Sequence, residues 1–209
     1  MANKRRIGIM GGTFNPIHMG HLMIAEVAYE AFDLEKVIFV PAYYPPHKHT
    51  DVISSEHRYA MTEAAVRDNP HFTISDVEMK RNGPSYTVDT IHHFIQEYGS
   101  DVDFYFIAGT DSIQDLPNWK YLDELLELCP FIGAMRPAGS EHLDAVVNSF
   151  GQVGRNRIHL LAVPEMKLSA TYLRNRLRKG QTVRYMLPKC VVDYIEEHHI
   201  YKGDVERGL

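Results

Sequence analysis

Cysteine is scarce in this chain of 209 residues, which contains only Cys129 and Cys190, far apart in the sequence. This scarcity argues against a disulfide-stabilised secreted scaffold, and the separation is not that of a metal or redox motif. Long apolar runs are also missing, because no stretch approaches the roughly 20 residues that cross a bilayer. We therefore expect a cytoplasmic protein with buried thiols and no membrane partner.

An excess of positive charge is missing as well. The formal net charge is -5, with 22 Lys and Arg against 27 Asp and Glu. This balance argues against a nucleic-acid binder that acts through an overall positive field. The hydrophobic fraction of 44% and the charged fraction of 23% are ordinary for a globular protein.

Apolar runs alternate with helical patterns along the whole chain, which predicts an α/β fold with a doubly wound parallel sheet and helices on both faces. We expect one domain, 1–209, since no linker or repeat interrupts the pattern. The predicted strands begin near Ile7, Lys36, Phe72, Asp103, Phe131 and Ile158. The second of them is expected to end at Pro41 and the third at Met79. The predicted helices are those directly behind His21 and at Ser55–Val66, Ser85–Tyr98, Tyr121–Cys129, Ser140–Phe150, Ser169–Lys179 and Pro188–His198, with an irregular piece after Asp111.

The stretch Ile7–His21 is the most informative part of the sequence. It contains neither a Gly-x-Gly-x-x-Gly nor a Walker motif, so the common dinucleotide and P-loop interpretations fail. An apolar strand, a glycine pair and a helix N-terminus nevertheless suit anion binding, because such termini present unpaired N–H groups. We predict that His18 and His21 face the same anion.

Ligands of parallel sheets bind beyond the carboxyl ends of the strands. Polar or flexible residues follow several predicted strands, which indicates one shared site at that edge. Zinc is not expected, because the histidine pairs lack partner spacing. Those pairs are His47 with His49, His92 with His93, and His198 with His199.

Two motifs carry a resemblance to a known enzyme group. Gly11–His21 resembles the signature of the nucleotidyltransferase superfamily with the His/Thr-x-Gly-His motif. Leu168–Arg174 resembles its second signature, Ile-Ser-x-Thr-x-x-Arg, with Leu in place of Ile. Over nearly its whole length the chain is similar to bacterial nicotinate-nucleotide adenylyltransferases, although Asn15 stands where many relatives carry Asp. Further matching segments are Pro45–Lys48, Gly83–Thr90, Gly109–Asp111, Leu116–Trp119 and Arg136–Pro137.

The resemblance implies a Rossmann-like fold and transfer of AMP from ATP to nicotinate mononucleotide, giving deamido-NAD and pyrophosphate in NAD biosynthesis. His18, His21 and Arg174 would be the catalytic residues, because direct in-line transfer needs groups that position and neutralise phosphates. The residues implied to bind ATP are Gly11, Gly12, Thr13, Phe14, His18, His21, Arg136, Ser169, Thr171 and Arg174.

The resemblance also implies an acceptor site. Lys48 would meet the mononucleotide phosphate and Asp111 a ribose hydroxyl, while Trp119 would stack on the pyridine ring with Thr87 near its carboxylate. From the residues alone, Trp119 is more simply a core anchor and Thr87 the start of its helix. Mg²⁺ would be carried mainly by the ATP phosphates, since the chain shows no dedicated carboxylate cage.

Alternative functions stay open. Another member of the superfamily would use nicotinamide mononucleotide or phosphopantetheine as acceptor, or would transfer a cytidylyl group. The segment Ser85–Thr90 and Trp119 favour a pyridine nucleotide. A non-catalytic nucleotide-sensing domain is a second class, and a nucleic-acid module, disfavoured by the acidic charge, is a third. The sequence also allows a homo-oligomer.

Overall fold

The strand β1 (Arg5–Gly12) lies at the centre of the protein, between β2 (Lys36–Pro41) and β4 (Val102–Ala108). The computed structural model describes residues 4–44, 51–81, 83–135 and 140–202, with side chains of the last range from 143 onward. The remaining strands of its six-stranded sheet are β3 (Phe72–Ile74), β5 (Phe131–Met135) and β6 (Ile158–Ala162). The order is β3-β2-β1-β4-β5-β6, and every pair is parallel. The predicted doubly wound parallel sheet is therefore confirmed.

Helices cover both faces of this sheet. They are α1 (Met19–Ala31), α2 (Ser55–Val66), α3 (Val77–Arg81), α4 (Thr87–Tyr98), α5 (Thr110–Gln114), α6 (Leu122–Leu128), α7 (Ser140–Ser149), α8 (Gly151–Arg157), α9 (Ala170–Arg178) and α10 (Lys189–Glu197). A 3₁₀ helix spans Leu116–Asn118. No helix within these described ranges combines the length and apolar character needed to cross a membrane.

Successive side chains of each strand point to opposite faces of the sheet, and this divides the core into two halves. Ile7 and Ile9 of β1 pack with α4, α6 and α7 on one face, whereas Met10 packs with α1, α2, α9 and α10 on the other. This follows from the period of two in a strand, which sends successive side chains to opposite faces. Burial of each large aliphatic side chain contributes roughly 1.5–3 kcal/mol. The two half-cores hold β1 rigidly, and with it the loop that follows Gly12.

Several predicted boundaries were wrong. The strand expected over Phe72–Met79 ends at Ile74, because the Ser75 hydroxyl accepts a hydrogen bond from the Val77 N–H (3.3 Å) at the start of α3. The piece after Asp111 was expected to be irregular, but α5 forms there around Ile113, which is fully buried. The first helix begins at Met19, before His21. The sequence also gave no indication of α8, which starts at Gly151 with a φ of +60°.

The close contact between α7 and α8 requires glycine at position 154, because glycine has no Cβ. A Cβ there would lie 2.2 Å from the Val147 carbonyl oxygen and 2.8 Å from the Phe150 Cβ. Gly154→Ala should therefore lower the free energy of unfolding by about 2 kcal/mol or more, because overpacking outweighs the gain in helix propensity. Urea denaturation followed by circular dichroism measures the effect. Gly109→Ala is the control, since its Cβ would have no neighbour within 4 Å, and an equally stable Gly154→Ala would contradict the packing.

Candidate active site

A cavity of about 530 Å³ opens at the carboxyl ends of β1 and β4, where the strand order reverses. This is the position at which ligands bind in doubly wound sheets, and the volume is typical of a ligand pocket. The cavity brings most of the predicted site residues together. Those that line it are Gly11, Gly12, Thr13, Phe14, His18, His21, Thr87, Asp111, Trp119, Ser169 and Thr171.

The glycine loop after β1 is tightly folded against an aromatic ring. A Cβ on Gly12 would lie 2.9 Å from Cε1 of Phe14, so only glycine fits without moving that ring. Phe14 is 2% exposed and has a φ of +47°, in the left-handed region that costs a non-glycine residue about 1 kcal/mol or more. Its ring packs edge-on against His21, with centroids 5.1 Å apart. The loop conformation is thus held by packing.

The two motif histidines form one stacked unit at the N-terminus of α1. Their ring centroids lie 3.7 Å apart, and the His18 backbone N–H donates to Nδ1 of His21 (3.2 Å). A ring nitrogen that accepts carries no proton, so neutral His21 carries its proton on Nε2. That N–H is a donor suited to a phosphate oxygen.

His18 is buried, and its Nδ1 finds no hydrogen-bond partner in the part of the chain that the structure describes. Desolvation by burial lowers its pKa from 6.5 to about 4. His18 is therefore neutral at pH 7 in the protein without ligand. An unpartnered buried nitrogen of this kind is costly unless something binds to it, which supports a ligand-binding role for His18.

The second motif forms the opposite wall of the cavity. Ser169 is the N-cap of α9, and its hydroxyl oxygen accepts a hydrogen bond from the Tyr172 N–H (3.2 Å). Thr171 lies in the first turn of the same helix and also lines the cavity. The helix N-terminus adds a partial positive charge, which favours a phosphate group.

Arg174 is the one predicted catalytic residue in the described ranges that does not line the cavity. Its Nε donates to Oδ2 of Asp51 (2.9 Å), and its Nη1 donates to the Asn15 carbonyl oxygen (3.0 Å). Asp51 is also bound by Arg178. Burial would raise the pKa of Asp51, but the hydrogen bonds from Arg178 and Arg174 outweigh it and lower this pKa. The Nη2 of Arg174 also donates to the Thr171 hydroxyl (3.4 Å), so Arg174 contacts a residue that lines the cavity.

Asn15 links this cluster to the C-terminal region. Its side-chain nitrogen donates to the Asp51 carbonyl oxygen (2.7 Å), while its Oδ1 accepts from the Tyr201 hydroxyl (2.5 Å). Both partners are satisfied only because an amide is at once donor and acceptor. An aspartate at position 15 would lose the first of these bonds. Sequence patterns do not indicate this network, because its members are far apart in the chain.

The predicted acceptor residues line the other side of the cavity. Thr87 is the first residue of α4, and Asp111 is exposed in the first turn of α5. Trp119 is half-buried and packs edge-on against Phe106 and Phe131, at centroid distances of 5.7 and 6.0 Å. The single tryptophan is therefore both anchored in the core and in contact with the cavity. The predictions for Lys48 and Arg136 lie outside the described residues.

Glu78 also lines the cavity, although the sequence did not indicate it. Its Oε1 accepts a hydrogen bond from the Thr90 hydroxyl (2.7 Å), whereas its Oε2 has no partner within the described ranges. Burial raises the pKa of Glu78 in spite of hydrogen bonds from Ser85 and Thr90. The wrong strand prediction hid this residue, since a polar position of an alternating strand is expected to face solvent.

The described residues contain no group of three or more His, Cys, Asp or Glu side chains that could hold a metal ion. The hydrogen-bond donors that line the cavity are imidazole, hydroxyl and backbone N–H groups, which suit phosphate oxygens. The carboxylates that line it are those of Glu78, Asp111 and Asp115, and they do not form such a metal-binding group.

The chain matches known proteins over its whole length. Residues 9–176 match the family model described as Cytidylyltransferase-like. A relative from Thermoanaerobacter sp. (strain X514), named "Probable nicotinate-nucleotide adenylyltransferase", is 43% identical over 100% of both chains. One of the same name from Moorella thermoacetica is 46% identical over 97% of this chain and 96% of its own. The structure of Plasmodium falciparum nicotinic acid mononucleotide adenylyltransferase complexed with NaAD has a TM-score of 0.77 at 20% identity, covering 94% and 97% of the two chains, and supports the fold.

The lowered pKa of His18 has a consequence for stability. Below pH 6.5 the unfolded chain binds a proton at this position and the folded chain does not, so stability falls as the pH drops from 6.5 towards 4. At pH 5 the loss should be about 2 kcal/mol relative to pH 7. We expect this loss to disappear in His18→Asn, while His92→Asn, at an exposed position, retains it. Urea denaturation at both pH values measures it, and equal pH dependence in wild type and His18→Asn would refute the assignment.

Proposed function

This chain belongs to the nicotinate-nucleotide adenylyltransferases of the Cytidylyltransferase-like family, and we propose that it transfers AMP from ATP to nicotinate mononucleotide. The products are deamido-NAD and pyrophosphate, so the reaction is a step of NAD biosynthesis. One observation carries the proposal. A single cavity holds the histidine pair, the N-terminus of α9 and the pair Thr87 and Trp119. Both substrates can therefore meet there.

The ATP phosphates bind between the two motifs in our proposal. His21 donates from Nε2, the N–H of Phe14 contributes from the glycine loop, and the hydroxyl of Thr171 acts from the opposite wall. These groups are preorganised, because the hydrogen bond from the His18 N–H to His21 Nδ1 fixes the imidazole and packing fixes the loop. Preorganised donors aimed at phosphate oxygens stabilise the charge that develops during transfer.

The reaction itself needs no covalent enzyme intermediate. An oxygen of the mononucleotide phosphate attacks the α-phosphorus of ATP, and the bond from that phosphorus to the bridging oxygen breaks in line. Pyrophosphate leaves with the electron pair. The chain contributes mainly by holding two anions in this geometry, which can account for much of the acceleration. Arg174 joins the phosphates when it exchanges Asp51 for them.

Mg²⁺ fits this site as an ion carried by ATP. In our proposal the ion is held mainly by the phosphates, and the exposed carboxylates of Asp111 and Asp115 line the same cavity. When bound, it would neutralise negative charge on the phosphates.

The acceptor is held on the side of α4 and Trp119. The pyridine ring stacks on Trp119, and its carboxylate lies at Thr87, where the helix N-terminus favours negative charge. From the resemblance alone, we assign Lys48 to the mononucleotide phosphate and Arg136 to the adenosine. We further propose that residues 1–209 form one domain and that the protein is cytoplasmic. The two free thiols, of buried Cys129 and partly buried Cys190, support the cytoplasmic location, because thiols stay reduced there.

Pyrophosphate release tests the activity and the choice of acceptor. With ATP and Mg²⁺, kcat/KM should be about 100-fold or more higher for nicotinate than for nicotinamide mononucleotide, because N–H donors that receive a carboxylate repel the N–H groups of an amide. Similar values for both would contradict the proposed acceptor site. Release only with phosphopantetheine or only with CTP would identify another member of the family. Nucleotide binding without any release would indicate a sensing domain.

His18→Ala tests the histidine pair. We expect kcat to fall by about 100-fold or more, since the variant removes both a phosphate ligand and the ring stacked on His21. His92→Ala is the control, because His92 lies on the surface and is bound to Glu124. Circular dichroism checks that both variants fold. Near-normal turnover of folded His18→Ala would refute the role of His18.

A further inference from the structure

Arg58 is the largest fully buried side chain that the described residues contain, with 1% of its surface exposed. It lies in the second turn of α2, below the loops that follow β1 and β2. Its guanidinium group donates to three backbone carbonyl oxygens. Nη1 donates to Thr13 (2.8 Å), Nη2 donates to Tyr43 (3.0 Å) and Nε donates to Ile53 (3.2 Å).

None of these bonds goes to a carboxylate, which is unusual for a buried cation. Taking a charge out of water is expensive, and burial lowers the pKa of Arg58. A well-packed apolar side chain would fill the same space at a lower cost, so packing does not explain the guanidinium. An apolar residue could not form hydrogen bonds to three separate stretches of backbone. The fork of Arg is suited to this, whereas Lys offers a single point of charge.

The bond to Thr13 fixes a peptide plane at the candidate ATP site. In a trans peptide, the C=O of one residue and the N–H of the next point in opposite directions. Since the Thr13 carbonyl points to Arg58, the Phe14 N–H points away from Arg58, and both Thr13 and Phe14 line the cavity. The positive φ of Phe14 is strained, and strained residues persist only where their surroundings fix them. Arg58 supplies part of that fixation.

The bond to Tyr43 ties the second loop to the same group. Ala42 donates to the Gly12 carbonyl oxygen (2.8 Å), so the chain after β2 starts beside the glycine loop. The Tyr43 N–H donates to the Ser85 hydroxyl (3.0 Å), and Ser85 lines the cavity two residues before Thr87, on the acceptor side. One side chain therefore links the glycine loop assigned to ATP with the loop after β2 that contacts the acceptor side.

We propose that Arg58 is a positioning residue for adenylyl transfer, which holds the Thr13–Phe14 peptide and the Tyr43 carbonyl so that both substrate loops keep their relative geometry. This inference rests on the proposed function. Arg58 contacts neither substrate, and it acts through the backbone. Its loss should therefore weaken the binding of both substrates, because small displacements of positioning groups are costly to rate and affinity.

Arg58→Lys tests the proposal, since lysine keeps the positive charge and lacks the planar guanidinium group that binds three carbonyl oxygens. We expect a folded protein in which the KM values for ATP and for nicotinate mononucleotide both rise about tenfold, each equivalent to about 1.4 kcal/mol. Arg67→Lys is the matched control. Arg67 follows the same helix, its side chain is 71% exposed, and both KM values should stay within twofold of wild type.

Each other outcome overturns the proposal. Unchanged KM values in folded Arg58→Lys would remove any positioning role, and a change for one substrate alone would remove the link between the loops. A fall in kcat alone would indicate fewer active molecules. An Arg58→Lys chain that does not fold, as judged by circular dichroism, would assign Arg58 to the fold only.

Calorimetric titration separates this test from the proposed function. If the wild type released no pyrophosphate with any acceptor, the proposed function would fail, yet binding of Mg·ATP and of nicotinate mononucleotide could still be measured. Arg58→Lys should then raise both Kd values about tenfold relative to Arg67→Lys. Equal Kd values in the two variants, or no binding by wild type, would overturn the role of Arg58.

Discussion

The parallel pairing of β1 with β2 on one side and β4 on the other determines where everything else in this protein lies. Because all strands of the described sheet run the same way, their carboxyl ends meet at one edge. The loop after β1 is flanked there by the chain after β2 and by the segment after β4. Two half-cores hold β1 from both faces, so this loop starts from a rigid base. For that reason, residues that are far apart in the sequence line a single cavity.

The electrostatics of the cavity follow from how its donors are held. His18 is neutral at pH 7, because burial lowers its pKa to about 4, and its ring stacks on that of His21. The groups that we propose to bind phosphate near the glycine loop are mostly dipoles, while the cation Arg174 is bound to Asp51. A site of this kind would recognise phosphate by geometry and would avoid the tight, unselective binding that a cluster of free cations gives to any anion.

How much the sequence predicted depended on how local each signal was. The strand Lys36–Pro41 was predicted with its observed bounds, because a run of buried apolar residues ended by proline is unambiguous. The helix Ser55–Val66 was also predicted correctly, and Arg58 shares its inner face with Met61 and Thr62, so helical spacing alone could have indicated its burial. The contact of Arg174 with Asp51 joins residues 123 positions apart, and no local pattern reports it. The histidine pair was indicated by the local pattern of strand, glycine pair and helix N-terminus. The acceptor residues came from resemblance, since spacing alone favoured ordinary structural roles for Trp119 and Thr87.

The double role of the Asn15 amide bears on how long the protein stays chemically intact. Asparagine ages by losing its amide when the nitrogen of the following residue attacks the side chain, and the resulting aspartate could no longer donate to the carbonyl of Asp51. The next residue here is Pro16, whose nitrogen carries no hydrogen and cannot close that ring. The neighbour in the sequence thus protects the side chain that, within the described ranges, joins Tyr201 to Asp51.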